Sequence, residues 1–123
     1  MSSKPQSYRD LIVWQKSMKL AKQLYELTAL LPSAEKFGLV SQIRRAAASV
    51  PSNIAEGQAR HTTGEFILFI SHAEGSAAEL DTQLQLSLDL GFLTPDQTTV
   101  AFGLIDEVRR MLNALRRRLA GES

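Results

Sequence analysis

The sequence of 123 residues contains no cysteine and no long hydrophobic run. The absence of cysteine excludes disulfides, thiolate metal sites and cysteine nucleophiles, and it suits a reducing compartment. No apolar stretch approaches the roughly 18 residues that a membrane-spanning helix needs, and residues 1–7 are polar. We therefore expect a soluble, cytoplasmic protein with no signal peptide and no membrane contact.

Aromatic residues and net charge are also scarce. Aromatic side chains make up 7% of the chain, and the formal net charge is only +1. Residues 1–45 carry eight Lys/Arg against three Asp/Glu, residues 46–106 carry one against eight, and residues 107–123 carry five against two. The ends of the chain are thus basic and its middle is acidic. The hydrophobic fraction of 44% predicts one globular domain over residues 1–123.

Hydrophobic residues recur with a helical period in four long segments. Short connections between long helices predict an all-α fold, an antiparallel up-down-up-down four-helix bundle. Pro51 predicts a kink in the second helix, and a break that restarts at Ser49 or Asn53 is the alternative. We place the helices at about 8–31, 34–60, 63–90 and 95–119.

Capping residues mark the expected helix ends. Ser7 is placed as the N-cap of the first helix and Ser33 as that of the second. Thr62 and Glu65 have the spacing of a capping box at the start of the third helix. Gly91 follows this helix, and glycine takes the left-handed conformation after a helix end at little cost.

The first helix carries two apolar stripes. One has the alternating three- and four-residue steps of a bundle seam, and it consists of Leu11, Trp14, Met18, Ala21, Tyr25 and Thr28. The second lies beside it and consists of Val13, Leu20, Leu24, Leu27 and Leu31.

The third helix carries more apolar residues than one bundle core can bury. Its consecutive residues 66–70 surround the helix, and Leu86 and Leu90 point away from Leu84 and Leu88. We interpret this surplus as a self-association surface, and scattered exposed apolar residues are the alternative. The candidate interface residues are Phe66, Ile67, Phe69, Leu86 and Leu90.

No set of residues indicates catalysis, a metal site or a cofactor. His61 and His72 are the only histidines, and neither belongs to a metal-binding motif. The scattered glycines form no phosphate-binding loop. Ser76 has no partner base in the sequence, and we assign it to a tight crossing of the second and third helices. The sequence therefore predicts that the protein is not an enzyme.

Basic residues are the remaining candidates for a binding site. Antiparallel helices would bring the start of the first and the end of the fourth helix together, and symmetric assembly would repeat that positive charge. Phosphate is the expected partner, although a solvated helix face explains the same residues. Because aromatic residues are not interleaved with them, we expect contact with an RNA backbone rather than with its bases. The candidates are Lys16, Lys19, Lys22, Arg44, Arg45, Arg60, Arg109, Arg110, Arg116 and Arg117.

Three segments resemble a known family. They are residues 8–15 (YRDLIVWQ), 42–57 (QIRRAAASVPSNIAEG) and 65–80 (EFILFISHAEGSAAEL). Together they resemble the bacterial four-helix-bundle family that includes proteins encoded in intervening sequences of 23S ribosomal RNA genes. The resemblance implies antiparallel bundles that assemble as pentamers with a central channel. It extends to accessory proteins of diversity-generating retroelements, which bind reverse transcriptase and RNA through a basic pentameric barrel.

Within the most specific block, Arg44 and Arg45 are the best candidates for polyanion contact. Intersubunit contacts, or ion pairs with Glu56 or a carboxylate of the third helix, are the alternative for both. Asn53 and Glu56 are expected to satisfy backbone groups freed by Pro51.

The sequence thus predicts a non-enzymatic homo-oligomer, in the family's pattern a pentamer, that associates with structured RNA or ribosomal RNA. The alternative is an oligomeric adaptor that docks a partner such as a reverse transcriptase, with RNA contact secondary.

Overall fold

The structure, a computed structural model, describes residues 7–122, and within this range it contains no strand. Residues 1–6 and 123 of the predicted domain lie outside the described range. The all-α, four-helix fold predicted from the sequence is confirmed. No helix in the described range is long and apolar enough to cross a membrane. The helices are α1 (Ile12–Thr28), α2 (Leu39–Gln58), α3 (Thr63–Asp89) and α4 (Pro95–Glu122).

Each helix contributes one apolar stripe to a common core. Leu20, Ile43, Leu80 and Leu112 are fully buried examples, one from each helix. α1 and α3 each pack against both α2 and α4. Burial of each such side chain stabilises the fold by about 1.5 to 3 kcal/mol, so the core holds the helices that carry the surface charges.

The two stripes on α1 are buried to different degrees. The stripe containing Val13 and Leu20 is buried, whereas Met18 and Tyr25 of the other stripe are exposed. The Trp14 stripe faces small residues of α2, including Ala48, across a groove of about 330 Å³. Its spacing predicts a bundle seam, but small side chains opposite it leave the seam partly open.

The predicted boundaries of the first two helices were wrong. Tyr8–Asp10 is a separate 3₁₀ turn, and Leu11 is extended before α1 begins. α1 ends at Thr28 rather than at 31. Ser33 lies in a second 3₁₀ turn and does not cap α2. α2 begins only after Gly38, whose φ of −106° and ψ of −107° lie outside the helical region.

The capping predictions for α3 are confirmed, whereas Ser7 caps the 3₁₀ turn Tyr8–Asp10 and not α1, whose N-cap is Leu11. The Ser7 hydroxyl accepts a hydrogen bond from the backbone within a capping box completed by Asp10, although the box opens the 3₁₀ turn. The Thr62 hydroxyl accepts from the Glu65 backbone N–H at 3.1 Å. Gly91 has φ +77° directly after the C-cap of α3, where glycine lacks the steric penalty of other residues.

Contacts between α3 and α4 run in opposite directions along the two helices. Glu74 of α3 contacts Arg116 of α4. Asp81, seven residues further along α3, contacts Arg109, which precedes Arg116 by seven residues in α4. This is the register of antiparallel neighbours. α2 continues through Pro51 without the alternative break. The up-down-up-down order of all four helices and the kink at Pro51 stay predictions.

The hydrogen bonds and ion pairs of Asn53 and Glu56 differ from those expected from the sequence. A proline inside a helix frees the carbonyl four residues earlier, here that of Ala47. The Asn53 amide instead donates to the carbonyl and the hydroxyl of Ser49, at 2.8 and 2.9 Å. Glu56 forms an ion pair near the end of α2. The prediction that Asn53 and Glu56 satisfy the freed backbone was therefore wrong.

Candidate polyanion-binding surface

Arg44 is engaged by the fold rather than free for a ligand. Its Nε donates to the Thr28 hydroxyl at 2.9 Å, and its Nη2 donates to the Tyr25 carbonyl at 3.2 Å. The guanidinium also lies 4.8 Å from the centre of the Tyr25 ring. These contacts join the start of α2 to the end of α1. No ion pair with Glu56 or with a carboxylate of α3 is present among the described residues.

Arg45 differs from its neighbour. It is exposed, and within residues 7–122 it makes no ion pair or side-chain hydrogen bond. The two arginines of one sequence block therefore have different environments, because consecutive residues lie about 100° apart around a helix.

Arg60 is held at the junction of α2 and α3. It pairs with Glu56 at 2.8 Å and lies 3.9 Å from a carboxylate oxygen of Glu65. Its guanidinium also lies 4.7 Å from the centre of the Phe69 ring. Its charge is thus balanced by two local carboxylates.

The lysine strip of α1 is divided between a paired and an unpaired part. Lys16 pairs with Glu107 of α4 at 3.4 Å. Lys19 and Lys22 are exposed, and neither has an ion pair or hydrogen bond with the described part of the chain. The predicted strip therefore offers two free cations rather than three.

Three arginines of α4 form ion pairs, two with carboxylates of α3 and one within α4. Arg116 pairs with Glu74 at 2.6 Å, and the Glu74 side chain is only 24% exposed. Arg109 lies 3.8 Å from Asp81 of α3. Arg110 pairs with Asp106 one turn earlier at 2.7 Å, with both side chains at least 66% exposed. Exposed pairs of this kind contribute about 0.2 to 1 kcal/mol each, so a stronger anion can displace them.

Three of the candidate arginines share one concave surface, which we call the α4 cleft. It has a volume of about 380 Å³, and Arg117, unlike Arg109 and Arg110, has no partner among the described residues. The sequence interpretation missed Asn113, although its position three residues after Arg110 places it on the same helix face. The cleft is lined by Arg109, Arg110, Asn113, Ala114 and Arg117 of α4 and by Glu74 of α3.

Aromatic and basic side chains meet at a second place. The rings of Tyr8 and Trp14 pack edge to face with centroids 5.3 Å apart. The guanidinium of Arg9 lies 5.7 and 5.4 Å from their centres. Sequence spacing did not reveal this cluster, because the 3₁₀ turn before α1 brings the three residues together. Tyr8 and Trp14 also line the apolar groove between α1 and α2.

The candidate interface residues divide into two groups. Phe66 and Ile67 are half-buried and pack against the core of their own chain. Phe69 is also half-buried and approaches Gly57 of α2. Leu86 and Leu90 remain 46% and 55% exposed.

The run 66–70 does not surround α3 with exposed surface. Ile70 is fully buried, and Leu68, at 53%, is the one exposed side chain among residues 66–70. Packing of Phe66 and Phe69 against Gly57 of α2, together with the burial of Ile70, accounts for part of the surplus that the sequence interpretation assigned to self-association.

Residues 7–122 contain no group of three or more His, Asp or Glu side chains placed to hold a metal ion. Ser76 shares a hydrogen bond of 2.8 Å with the Ser49 hydroxyl at the crossing of α2 and α3. The arginines that line the α4 cleft form an arrangement suited to binding anions.

Two comparisons relate this chain to known proteins. The family model described as "23S rRNA-intervening sequence protein" matches residues 9–114. A crystal structure from Bacteroides thetaiotaomicron, described as a protein with unknown function from the S23 ribosomal protein family, has a TM-score of 0.80. The two sequences are 24% identical over 86% of this chain and 96% of that chain, so the likeness shows the fold. No curated protein matches the sequence.

Proposed function

Because the chain belongs to the 23S rRNA-intervening sequence protein family, we propose that it is a non-enzymatic homo-oligomer that associates with structured RNA. Ribosomal RNA is the first candidate, a pentamer is the proposed assembly, and the cytoplasm is the proposed location. The observation that carries the proposal is the α4 cleft, where Arg109, Arg110 and Arg117 surround one concavity. Guanidinium groups bind phosphate oxygens through paired hydrogen bonds.

The state of the other basic residues supports a polyanion as partner. Arg45, Lys19 and Lys22 are exposed and unpaired among the described residues. A chain with a net charge of only +1 binds RNA weakly as a single copy. A symmetric assembly repeats each cation, and the affinity for a long polyanion grows with the number of phosphates contacted at once.

Exposed apolar side chains support the assembly itself. Leu86 and Leu90 lie near the end of α3, and Met18 and Tyr25 lie along α1. Covering each of these side chains at an interface contributes up to about 1.5 to 3 kcal/mol. Several such residues from each subunit can offset the entropy lost on association.

RNA binding is tested by fluorescence anisotropy with a labelled hairpin from 23S ribosomal RNA. We expect affinity to fall steeply between 50 and 200 mM salt, because phosphate contacts release counterions. An unstructured RNA of the same length is the matched control, and we expect it to bind more weakly. Absence of binding to the hairpin at 50 mM salt would contradict the proposal.

Assembly is tested separately by light scattering. We expect a mass of about five times the 13.6 kDa subunit for the wild type. The double variant Leu86→Asp/Leu90→Asp is expected to reduce that mass, because each charge is costly to bury unpaired. A stable wild-type monomer at micromolar concentration, or an unchanged mass in the variant, would contradict the interface assignment.

The alternative function is an oligomeric adaptor that docks a protein partner such as a reverse transcriptase. The apolar groove between α1 and α2, lined in part by Tyr8, Trp14 and Met18, favours this alternative. An adaptor would bind its partner with little dependence on salt and on the arginines of α4. RNA binding that is detected only when a protein partner is present would favour the adaptor function.

A further inference from the structure

We propose that the α4 cleft binds consecutive phosphates of one RNA strand, with Arg110, Asn113 and Arg117 as the contact residues. This inference rests on the proposed function and assigns RNA contact to one face of the molecule. It replaces Arg44, which is engaged in contacts within the chain, as the leading candidate for that contact.

The three contact residues form a continuous stripe. Arg110, Asn113 and Arg117 follow one another at three- and four-residue steps on the side of α4 that lines the cleft. The seven steps from Arg110 to Arg117 span about 10 Å along the helix axis. A cleft of about 380 Å³ with cationic groups this far apart suits an extended ligand with several negative charges.

The electrostatics of the cleft also favour an anion. Glu74 is the only carboxylate among its lining residues, and Arg116 neutralises it at 2.6 Å. Asp81 and Asp106 do not line the cleft. They form solvent-exposed ion pairs with Arg109 and Arg110, respectively, and such pairs are weak in water. Arg117 has no partner among the described residues. An incoming phosphate therefore meets one free arginine and two that exchange partners at little cost.

The lining residues also indicate which part of the RNA is contacted. None of them is aromatic, so the cleft has no surface on which a base can stack. Arginine forks and an asparagine amide donate hydrogen bonds to phosphate and ribose oxygens. We therefore expect contacts that depend on the backbone and on RNA shape, and not on base sequence.

The test compares two double variants that remove the same charge. Arg110→Gln/Arg117→Gln changes the cleft, whereas Lys19→Gln/Lys22→Gln removes two unpaired cations of α1 that this inference makes secondary contacts outside the cleft. Each lost phosphate contact lowers the slope of log affinity against log salt by about 0.7 to 0.9. We expect the cleft variant to lose about 1.5 in slope and at least about tenfold in affinity at 0.1 M salt. The α1 variant is expected to lose much less of both.

A third variant tests the site by a gain of binding. Asp106→Asn removes the exposed carboxylate that competes for Arg110. We expect it to raise RNA affinity about two- to fivefold, an effect that misfolding cannot produce. A matched variant, Asp96→Asn, removes an equal charge from the start of α4 and is expected to raise affinity less. Thermal unfolding followed by circular dichroism checks that all variants fold.

Direct occupancy is measured with inorganic tripolyphosphate as the probe. In NMR spectra of the labelled full chain, we expect the side-chain signals of Arg110, Asn113 and Arg117 to shift on titration. Polyphosphate that shifts these signals while RNA does not would assign the site to free polyphosphate and overturn the RNA inference.

The remaining outcomes separate the cleft from the proposed function. If both double variants weaken RNA binding equally, binding is spread over the surface and the cleft assignment is wrong, while RNA association stands. If the wild type binds no RNA at low salt, the proposed function fails and this inference fails with it.

Discussion

Replacement of Gly57 by alanine tests the close approach of α2 to α3. A Cβ atom at this position would lie 2.8 Å from the Cβ of Phe69 and 3.1 Å from the Cδ1 of Phe66. It would also lie 3.3 Å from the carbonyl oxygen of Phe66. The Phe69 Cβ and the Phe66 carbonyl are fixed by the backbone of α3, so they cannot move away without shifting the helix.

The expected effect is the difference between two opposing terms. Alanine stabilises the interior of a helix over glycine by about 0.5 to 1 kcal/mol. Inserting a methyl group into a packed contact costs about 1 to 3 kcal/mol. We therefore expect Gly57→Ala to lower the free energy of unfolding by about 1 to 2 kcal/mol, which corresponds to about 4 to 8 °C in Tm.

Two other helical glycines provide matched controls. A Cβ atom at Gly75 or Gly103 would meet no other atom within 4 Å outside its own helix. The same substitution at these positions should raise the free energy of unfolding by about 0.5 to 1 kcal/mol. Urea and thermal unfolding are compared at one protein concentration, because assembly makes apparent stability depend on concentration. A Gly57→Ala protein as stable as the wild type would refute the reasoning.

Three further predictions concern residues with other roles. Arg44→Ala should lower the free energy of unfolding by about 1 to 2 kcal/mol, because two hydrogen bonds between α1 and α2 are lost. The same variant should weaken RNA binding less than Arg110→Gln/Arg117→Gln does. Gln83→Leu should stabilise the protein by about 1 kcal/mol in urea unfolding, because the buried Oε1 of Gln83 has no hydrogen-bond partner within residues 7–122. A loss of stability would show that this amide is satisfied in the assembly. A double-mutant cycle with Glu74→Gln and Arg116→Gln should give a coupling energy of about 0.5 to 1 kcal/mol, and a value near zero would show that the pair does not hold α3 to α4.

Local signals in the sequence predicted the four helices, both ends of α3 to within one residue and the start of α4. The capping box at Thr62 and the left-handed Gly91 both occur as expected. These features depend on residues within one turn of each other, so a single sequence is enough to find them. The start of α2 was missed because the segment 33–38 folds into a 3₁₀ turn and an irregular glycine. Helical period alone does not distinguish such a segment from the first turn of a helix.

The candidate site was predicted only as a set of residue types. The sequence identified ten basic positions but could not say which ones were already paired. Arg44 and Arg45 are adjacent in the chain, yet Arg44 binds Thr28 and Tyr25 whereas Arg45 is unpaired among the described residues. Asn113 joined the site only when α3 and α4 placed it in a cleft. Pairing across helices depends on distances that sequence spacing does not contain.

The sequence by itself determined that this protein is a bundle of four helices, because helical period and capping act within a few residues. Tertiary packing decided which of two apolar stripes on α1 is buried more deeply, since small residues on α2 leave the Trp14 stripe partly open. It also decided which cations remained available, since a cation is free only where neither its own helix nor a neighbouring one brings a carboxylate or carbonyl to it.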